Sequence, residues 1–344
     1  MDFYQNGIVT TLHNLSNRPL ADMEAELTGF SQRRPLGLIL PSLYSELEGE
    51  ALPRIIDHLE QVPDLGEIVI GLDRASEDEY RKALKFFDRL PQRHRVLWNE
   101  GPRLQALDAE LQDMDLAPRE LGKGRNVWYC MGYTLASGHA ESVALHDCDI
   151  TTYDRSLLAR LIYPVAHPQF NYEFCKGYYA RVSDGKINGR VSRLLVTPLL
   201  RALMKTLGDM EYLDYMDSFR YPLAGEFSFR RDVLNDIRIP SDWGLEIGVL
   251  SEMYRNYANN RLCQADIAAV YDHKHQDLSA DDEQGGLSKM SIDIAKALFR
   301  KLATRGVTFS SETFRSLKAT YFRIALDFVE TYHNDAVMNG LSLD

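Results

Sequence analysis

The chain has 344 residues, 45% of them hydrophobic, enough to fill one large α/β core or two smaller ones. A formal net charge of −11 and a pI near 5.4, with no block rich in lysine or arginine, exclude a general affinity for nucleic-acid phosphates and leave room only for a local basic site for a small anion. Four cysteines, Cys130, Cys148, Cys175 and Cys263, lie mostly in apolar surroundings without Cys-x-x-Cys spacing, which points to reduced core thiols rather than disulfides or a zinc site.

The opening MDFYQNGIVTTLHNLSNRPL is polar and acidic where a secretory signal needs a basic flank and an apolar run, and no apolar stretch reaches membrane-spanning length. A cytoplasmic protein without membrane insertion is expected. The first clear strand is PLGLILPSL, residues 35–43; EALPRIIDHLEQV follows, with Leu52, Ile55, Ile56 and Leu59 at helical spacing. EIVIGLD, residues 67–73, is a second buried strand, and SEDEYRKALKFFDRL opens on Ser76, a candidate N-cap ahead of an acidic first turn. Residues 95–98 form a third strand, GKGRNVWYCMGYTLAS a helix behind a glycine turn, and SVALHDCDI a further strand. Strands alternating with helices of this length give an α/β fold, a mostly parallel sheet with helices on both faces.

The second half is less regular. FNYEFCKGYYARV reads as a strand pair or an edge strand, GRVSRLLVTPLLRALMKTL as a helix with a glycine-led start, GEFSFRRDVLNDI as a strand feeding a helix, and GLEIGVLSEMYRNYA as a helix. From residue 287 on the pattern is helical, in two segments separated by Gly-Val-Thr. There is no internal repeat and no low-complexity linker.

In such sheets ligands bind beyond the carboxyl ends of the strands, where residues 41–45, 73–76 and 147–149 all fall. SVALHDCDITTYD carries a strand straight into His146, Asp147, Cys148 and Asp149. Charges leaving a core must be hydrated or paired, so acids at a strand exit either cap a turn or hold a cation. The triplet alone does not decide between these: a second one, Asp113 and Asp115, sits in a polar helical segment and reads as a solvated face. GKG, residues 122–124, lacks the upstream glycine and downstream Ser/Thr of a P-loop, and taken alone Lys123 is an ordinary surface lysine. His273 follows the apolar IAAVYD and so also stands at a strand end.

Eight segments in order, LPSLYSE, LDRASED, GKG, HDCDI, GRVSRLLVTPLL, PLAGEFSFRRDVL, WGLEIGVL and DHKH, resemble nucleotide-sugar glycosyltransferases of the GT-A fold, and more narrowly the retaining glucosyl-3-phosphoglycerate synthase family with its mannosyl-transferring relatives. The resemblance runs over residues 35–278. It implies a GT-A fold with helical N- and C-terminal extensions, and a metal-dependent, retaining transfer of glucose or mannose. The donor would be UDP-glucose or GDP-mannose, the acceptor a small anion such as 3-phosphoglycerate, the cation Mg2+ or Mn2+. Carried over by position, Pro41, Ser42, Leu43 and Ser76 would hold the nucleotide, Lys123 the diphosphate, and Asp147 the donor ribose or sugar. Asp149 and His273 would bind the cation, and Glu226 the donor sugar hydroxyls. Asp147, Asp149, Lys123 and Glu226 make up the implied catalytic set; Glu246 matches another recurrent acid. Gly189, Arg190, Val191 and Ser192 would grip the acceptor phosphate, with His275 nearby.

The chain is expected to divide into an N-terminal helical arm (1–32), a nucleotide-sugar half (33–155), an acceptor half of the same domain (156–285) and C-terminal helices (286–344); the resemblance implies a homodimer, with the terminal helices as its expected surface. Three places depart from the family pattern: Tyr44, Ser45 and Glu46 stand where Asn-Glu-Glu is common, Cys148 where serine is frequent, and His275 where an asparagine helps bind the acceptor. Two other readings stay open. A sugar-1-phosphate nucleotidylyltransferase needs a glycine-rich, basic loop after its first strand, which PSLYSELEGE lacks; a non-catalytic nucleotide-sugar-binding regulator would tolerate loss of the metal and phosphate residues, all of which are present.

Overall fold

A short strand β1 (Thr10–Leu12) and helix α1 (Leu20–Ser31) precede the first long apolar run, which forms β2 (Leu36–Leu43). Helix α2 (Ala51–Leu59), strand β3 (Leu65–Asp73), helix α3 (Glu77–Phe87) and strand β4 (His94–Trp98) continue the alternation. Helices α4 (Pro102–Asp113) and α5 (Lys123–Ser137) lead to β5 (Ser142–Leu145), and α6 (Arg155–Ala166) to β6 (Phe174–Ser183) with its short partner β7 (Lys186–Ile187). Then come α7 (Thr197–Leu207), α8 (Glu211–Ser218), β8 (Phe227–Arg230), α9 (Leu245–Asn256), β9 (Leu262–Tyr271), α10 (Gly286–Ala303), α11 (Ser311–Met338) and β10 (Ser342–Leu343). The structure is a computed structural model that describes residue 5 and residues 7–16, 18–118, 120–241, 244–273 and 286–343.

The strands join in the order β1-β9-β6-β8-β5-β2-β3-β4. All pairings along this path are parallel except the two made by β8, which runs antiparallel to both β5 and β6. The sheet is therefore mostly parallel and buried on both faces, and its strands show why their sequences are apolar throughout. In β2, Leu38 and Leu40 face the layer of α1, α2, α3 and α6, while Ile39 between them faces the layer of α5 and α7 to α11. β3 repeats this with Ile68, Ile70 and Leu72 on one face and Val69 on the other. Leu52, Ile55, Ile56 and Leu59 of α2 are fully buried, as their spacing predicts. Burying four such side chains removes enough apolar area to stabilise the layer by about 1.5–3 kcal/mol each, before conformational entropy is subtracted. All four cysteines are free and buried, and no helix among the described residues is long and apolar enough to cross a membrane.

Three expectations change. The segment read as a strand pair or edge strand is β6, an interior strand, because β9 from far along the chain pairs with one of its edges and β8 with the other. After β8 the chain makes only a short 3-10 turn, Arg231–Asn235, in place of a helix. The glycine-led helix begins as a π-helical segment, Val191–Val196, before α7. Pro198 supplies the physical reason: it has no N–H to return to the Leu194 carbonyl, so the turn widens, Thr197 N–H donates to the Ser192 carbonyl, and the freed Leu194 carbonyl accepts from Tyr321 Oη of α11 at 2.7 Å. The C-terminal helix is thereby tied to the segment expected to hold the acceptor.

Candidate active site

The carboxyl ends of β2, β3 and β5 open into one cavity of about 570 Å³, a size suited to a ligand of several hundred daltons. Pro41, Ser42, Leu43, Lys123, Asp147, Asp149, His273 and all of residues 189–192 line it. So the structure brings together in one place nearly every residue singled out in the sequence.

Asp149 and His273 meet because the chain is zipped beyond the sheet. Past the end of β5, Ile150 forms an isolated antiparallel bridge with His273 just past β9, Thr151 N–H donates to the Asp272 carbonyl at 2.9 Å, and Asp272 N–H donates to Thr152 Oγ1 at 3.0 Å. Ligand atoms of Asp147, Asp149 and His273 then lie within 4.8 Å of one another. Asp149 Oδ1 is buried without a hydrogen-bond partner, which is costly for a carboxylate unless something else satisfies it. Two carboxylates and an imidazole, one carboxylate oxygen being unsatisfied, fit a divalent cation such as Mn2+, which takes oxygen ligands and tolerates a nitrogen.

Lys123, at the start of α5, reaches across to Asp147 Oδ1 at 2.6 Å and to Glu246 Oε1 of α9 at 3.2 Å. Burial alone would discharge this lysine, but Asp147 and Glu246 outweigh it and hold the ammonium firmly charged. Burial likewise works against the Asp147 carboxylate, and Lys123 wins there too, keeping it below its ordinary range. The result is a fixed positive charge beside the candidate metal cluster. Opposite it, Arg181 lines the cavity with Nε buried and unsatisfied, Ser192 Oγ is buried and unsatisfied, and Arg190 stands beside them. Gly189 has φ +90°, a conformation other side chains rarely adopt, and it turns the chain into this segment.

No sequence-family model matches the chain. A glucosyl-3-phosphoglycerate synthase from Persephonella marina is 48% identical over 343 residues, spanning 100% of this chain and 85% of the relative. Another, from Methanococcoides burtonii, is 38% identical over 346 residues, 99% of this chain and 84% of that one. The chain belongs to the glucosyl-3-phosphoglycerate synthase family. With that family it is a glycosyltransferase. Solved structures of glucosyl-3-phosphoglycerate synthase from Mycobacterium tuberculosis share the fold at 20% identity: the complex with Mn2+, UDP-glucose and phosphoglyceric acid superposes with a TM-score of 0.62 over 88% of this chain and 89% of that one. The complex with Mn2+, UDP and glucosyl-3-phosphoglycerate gives 0.61 over the same shares.

Two residues implied by the family resemblance lie elsewhere than the cavity wall. Ser76 is the N-cap of α3, where it forms a capping box with Glu79: its hydroxyl donates to Glu79 Oε2 at 2.7 Å and accepts from Glu79 N–H at 3.4 Å. The N-cap expected of a serine before an acidic turn is therefore formed. Glu226 is fully buried behind the cavity, each carboxylate oxygen accepting a tyrosine hydroxyl at 2.6 Å, from Tyr179 and from Tyr271. Those two rings stack at 3.5 Å and seal it from solvent, and burial together with the nearby Asp147 raises its pKa. Of the two glutamates matched to family acids, Glu246 is the one that reaches the cavity. His275 lies outside the described residues. Sequence reasoning missed Arg181 and the first turn of α10, whose Leu287, Lys289 and Met290 complete the wall. The alternation of YYARV hinted at the first; nothing local marks the second.

Gly225 packs directly on Asp147: a Cβ there would stand 2.4 Å from Asp147 Oδ2, and Lys123 pins the other oxygen. Gly225→Ala is expected to push the carboxylate aside and lower kcat about 10- to 100-fold with the fold intact by circular dichroism. Wild-type kcat in this variant would mean that Asp147 need not keep its place. The same turn is held from below by Lys176 of β6, a buried lysine whose ammonium donates to the Ala224 carbonyl. Burial, only partly offset by Glu246 and Glu226, lowers its pKa from 10.5 to about 8. Between those values the unfolded chain holds the proton and the folded one does not, so stability rises with pH through this window and is lost again as pH falls through about 8. Urea melts should gain ~2 kcal/mol between about pH 8 and pH 10. Lys176→Met should flatten that rise; an unchanged slope would show that Lys176 keeps an ordinary pKa.

Proposed function

We propose that this chain moves glucose from UDP-glucose to the hydroxyl of 3-phosphoglycerate, with retention at the anomeric carbon and with Mg2+ or Mn2+ bound by Asp149 and His273, Asp147 completing the cluster. The observation that carries this reading is the convergence in one cavity of that cluster, the Lys123 ammonium and residues 189–192. It is supported by the M. tuberculosis family member, whose structures hold Mn2+ with UDP-glucose and phosphoglyceric acid, and Mg2+ with UDP. When bound, the cation neutralises charge on the leaving diphosphate. Lys123, kept charged by Asp147 and Glu246, adds a donor at the same phosphates, where charge develops as the bond breaks. Arg190, Arg181 and Ser192 orient the anionic acceptor.

Retention is favoured by how the nearby acids are employed. Glu226 is sealed by its two tyrosines and Glu246 accepts from Lys123, so neither is free to act as the general base that attack from the opposite face would need. The acceptor oxygen then bonds to the anomeric carbon on the face from which the diphosphate departs, and its proton passes to a leaving phosphate oxygen. A nucleotidylyltransferase is disfavoured because β2 runs into a 3-10 turn, Tyr44–Glu48, in place of a glycine-rich basic loop. A homodimer completes the reading, through the face of α11 that leaves Phe322, Leu326 and Val329 exposed at helical spacing.

The test is a product assay with UDP-glucose or GDP-mannose, 3-phosphoglycerate and Mn2+, with the product mass and its anomeric coupling read by mass spectrometry and NMR. An α-linked glucosyl-3-phosphoglycerate is expected. A β-linked product overturns retention, mannosyl transfer alone overturns the donor, and undiminished turnover in excess EDTA overturns the metal. Light scattering should give twice 39.3 kDa; a monomer mass removes the dimer.

A further inference from the structure

Among the described residues only three other than glycine adopt positive φ: Arg74, Asp115 and Asp184. The two aspartates sit in exposed turns, where their short side chains tolerate the left-handed conformation. Arg74, at φ +56°, has no such excuse, and it is the one of the three that lines the cavity. Its flanks explain how the strain is held. On one side, Asp73 Oδ1 accepts from Asn99 Nδ2 at 3.0 Å, with the buried Arg125 guanidinium 3.8 Å away. On the other, Ala75 N–H donates to Glu100 Oε2 at 3.3 Å and the Ala75 carbonyl accepts from Trp98 Nε1 at 2.7 Å, Trp98 itself being stacked on Tyr80. The backbone is clamped before and after Arg74, so the residue between cannot relax.

Glycine would sit at this position without cost, yet the chain carries a long cation there. The side chain is exposed and makes no hydrogen bond or ion pair with any described residue, so nothing inside the protein rewards it. Asp73 is paired with Leu43 in the sheet, which sets Arg74 one residue past the strand end, beside Pro41, Ser42 and Leu43. Strain that the surroundings enforce at a cavity wall, with a free cation as its outcome, is what ligand contact requires. We propose that Arg74 is a donor-binding residue whose guanidinium contacts the nucleoside diphosphate of the sugar donor. A guanidinium can fork onto a phosphate or lie flat on a base, and both are available in this class of ligand. The inference rests on the reading of the cavity as a nucleotide-sugar site.

The experiment uses the full chain with Mn2+ and titrates UDP by calorimetry into wild type, Arg74→Gly and Arg74→Lys, alongside thermal melts without nucleotide and steady-state kinetics. Arg74→Gly is expected to bind UDP about 10-fold more weakly, with KM for UDP-glucose raised similarly and KM for 3-phosphoglycerate unchanged. The same variant should melt about 1–2 °C higher, because glycine relieves the left-handed strain. Arg74→Lys should recover only part of the affinity, since an ammonium cannot fork or stack. An Arg74→Gly variant with UDP affinity within about two-fold of wild type overturns the proposal while leaving the site reading intact. A lower melting temperature with both KM values raised together also overturns it, since that pattern marks structural support. Wild type that fails to bind UDP overturns both.

Discussion

Asp149→Ala is expected to give a folded protein whose kcat is about 100- to 10,000-fold below wild type, the several kcal/mol that a cation contributes when it offsets charge in a transition state. The fold should survive because Asp149 carries little of the local structure: one carboxylate oxygen is buried with no hydrogen-bond partner, the other stands 3.7 Å from His273 Nδ1, and the bridge between Ile150 and His273 that sets the local geometry is a backbone feature. Alanine even removes a buried, unsatisfied acceptor, so the metal-free melting temperature should stay level or rise slightly. Three readouts separate the metal role from a structural one: turnover, the melting temperature without metal, and Mn2+ affinity by calorimetry. Loss of turnover together with loss of Mn2+ binding, at an unchanged melting temperature, is the expected pattern. Full activity, or lost activity with Mn2+ affinity intact, would show that Asp149 does not hold the cation.

How far such a site could be read beforehand depends on the range of the interactions that build it. β2, β3 and α2 were legible because burial on both faces leaves an unbroken apolar run in a strand and a three-to-four spacing in a helix, both local marks. The carboxylates at the exit of β5 were visible for the same reason, as charges following an apolar run. What the local pattern could not carry was pairing at a distance. β6 became an interior strand because β8 and β9 pair with its two edges, in the registers Phe174 to Phe229 and Phe174 to Leu262, both more than 50 positions on. Glu226 looked like a strand-end acid until Tyr179 and Tyr271, from two other strands, closed over it. Ser76 carried an N-cap reading, which its distance to Glu79 bears out. The left-handed backbone at Arg74 has no signature at all in LDRAS, because the groups that impose it, Asn99, Trp98 and Glu100, sit on the next strand and its exit. Pro198 is the instructive intermediate case. The residue is plain in the sequence, but that its missing N–H would widen the turn into a π-helical segment and free a carbonyl for Tyr321 depends on α11 being there to receive it.

That π-helical segment bears on the proposed acceptor site. Gly189 and Arg190 lead into it, and with Val191 and Ser192 they run along the cavity wall, with Ser192 Oγ buried and unsatisfied and Arg181 Nε in the same condition on β6. Buried donors without acceptors are costly to leave so, and two of them beside Arg190 describe a pocket made for an anion. A carboxylate or phosphate there would take up all three. If Arg190 pairs with a desolvated phosphate, truncation leaves that phosphate short of a charged donor, at a cost of about 2–5 kcal/mol. In kinetic terms, Arg190→Ala should lower kcat/KM for 3-phosphoglycerate by about thirty- to several-thousand-fold at saturating UDP-glucose. The donor side should barely move, because Lys123 and the Asp147, Asp149 and His273 cluster come from other elements. Glycerate, which lacks the phosphate, provides the control: wild type should use it poorly, and Arg190→Ala should use it no worse than wild type does. An equal loss on both acceptors would place Arg190 in general support of the site, and no loss on either would mean that the acceptor phosphate is held by Arg181, Ser192 and the first turn of α10 without it.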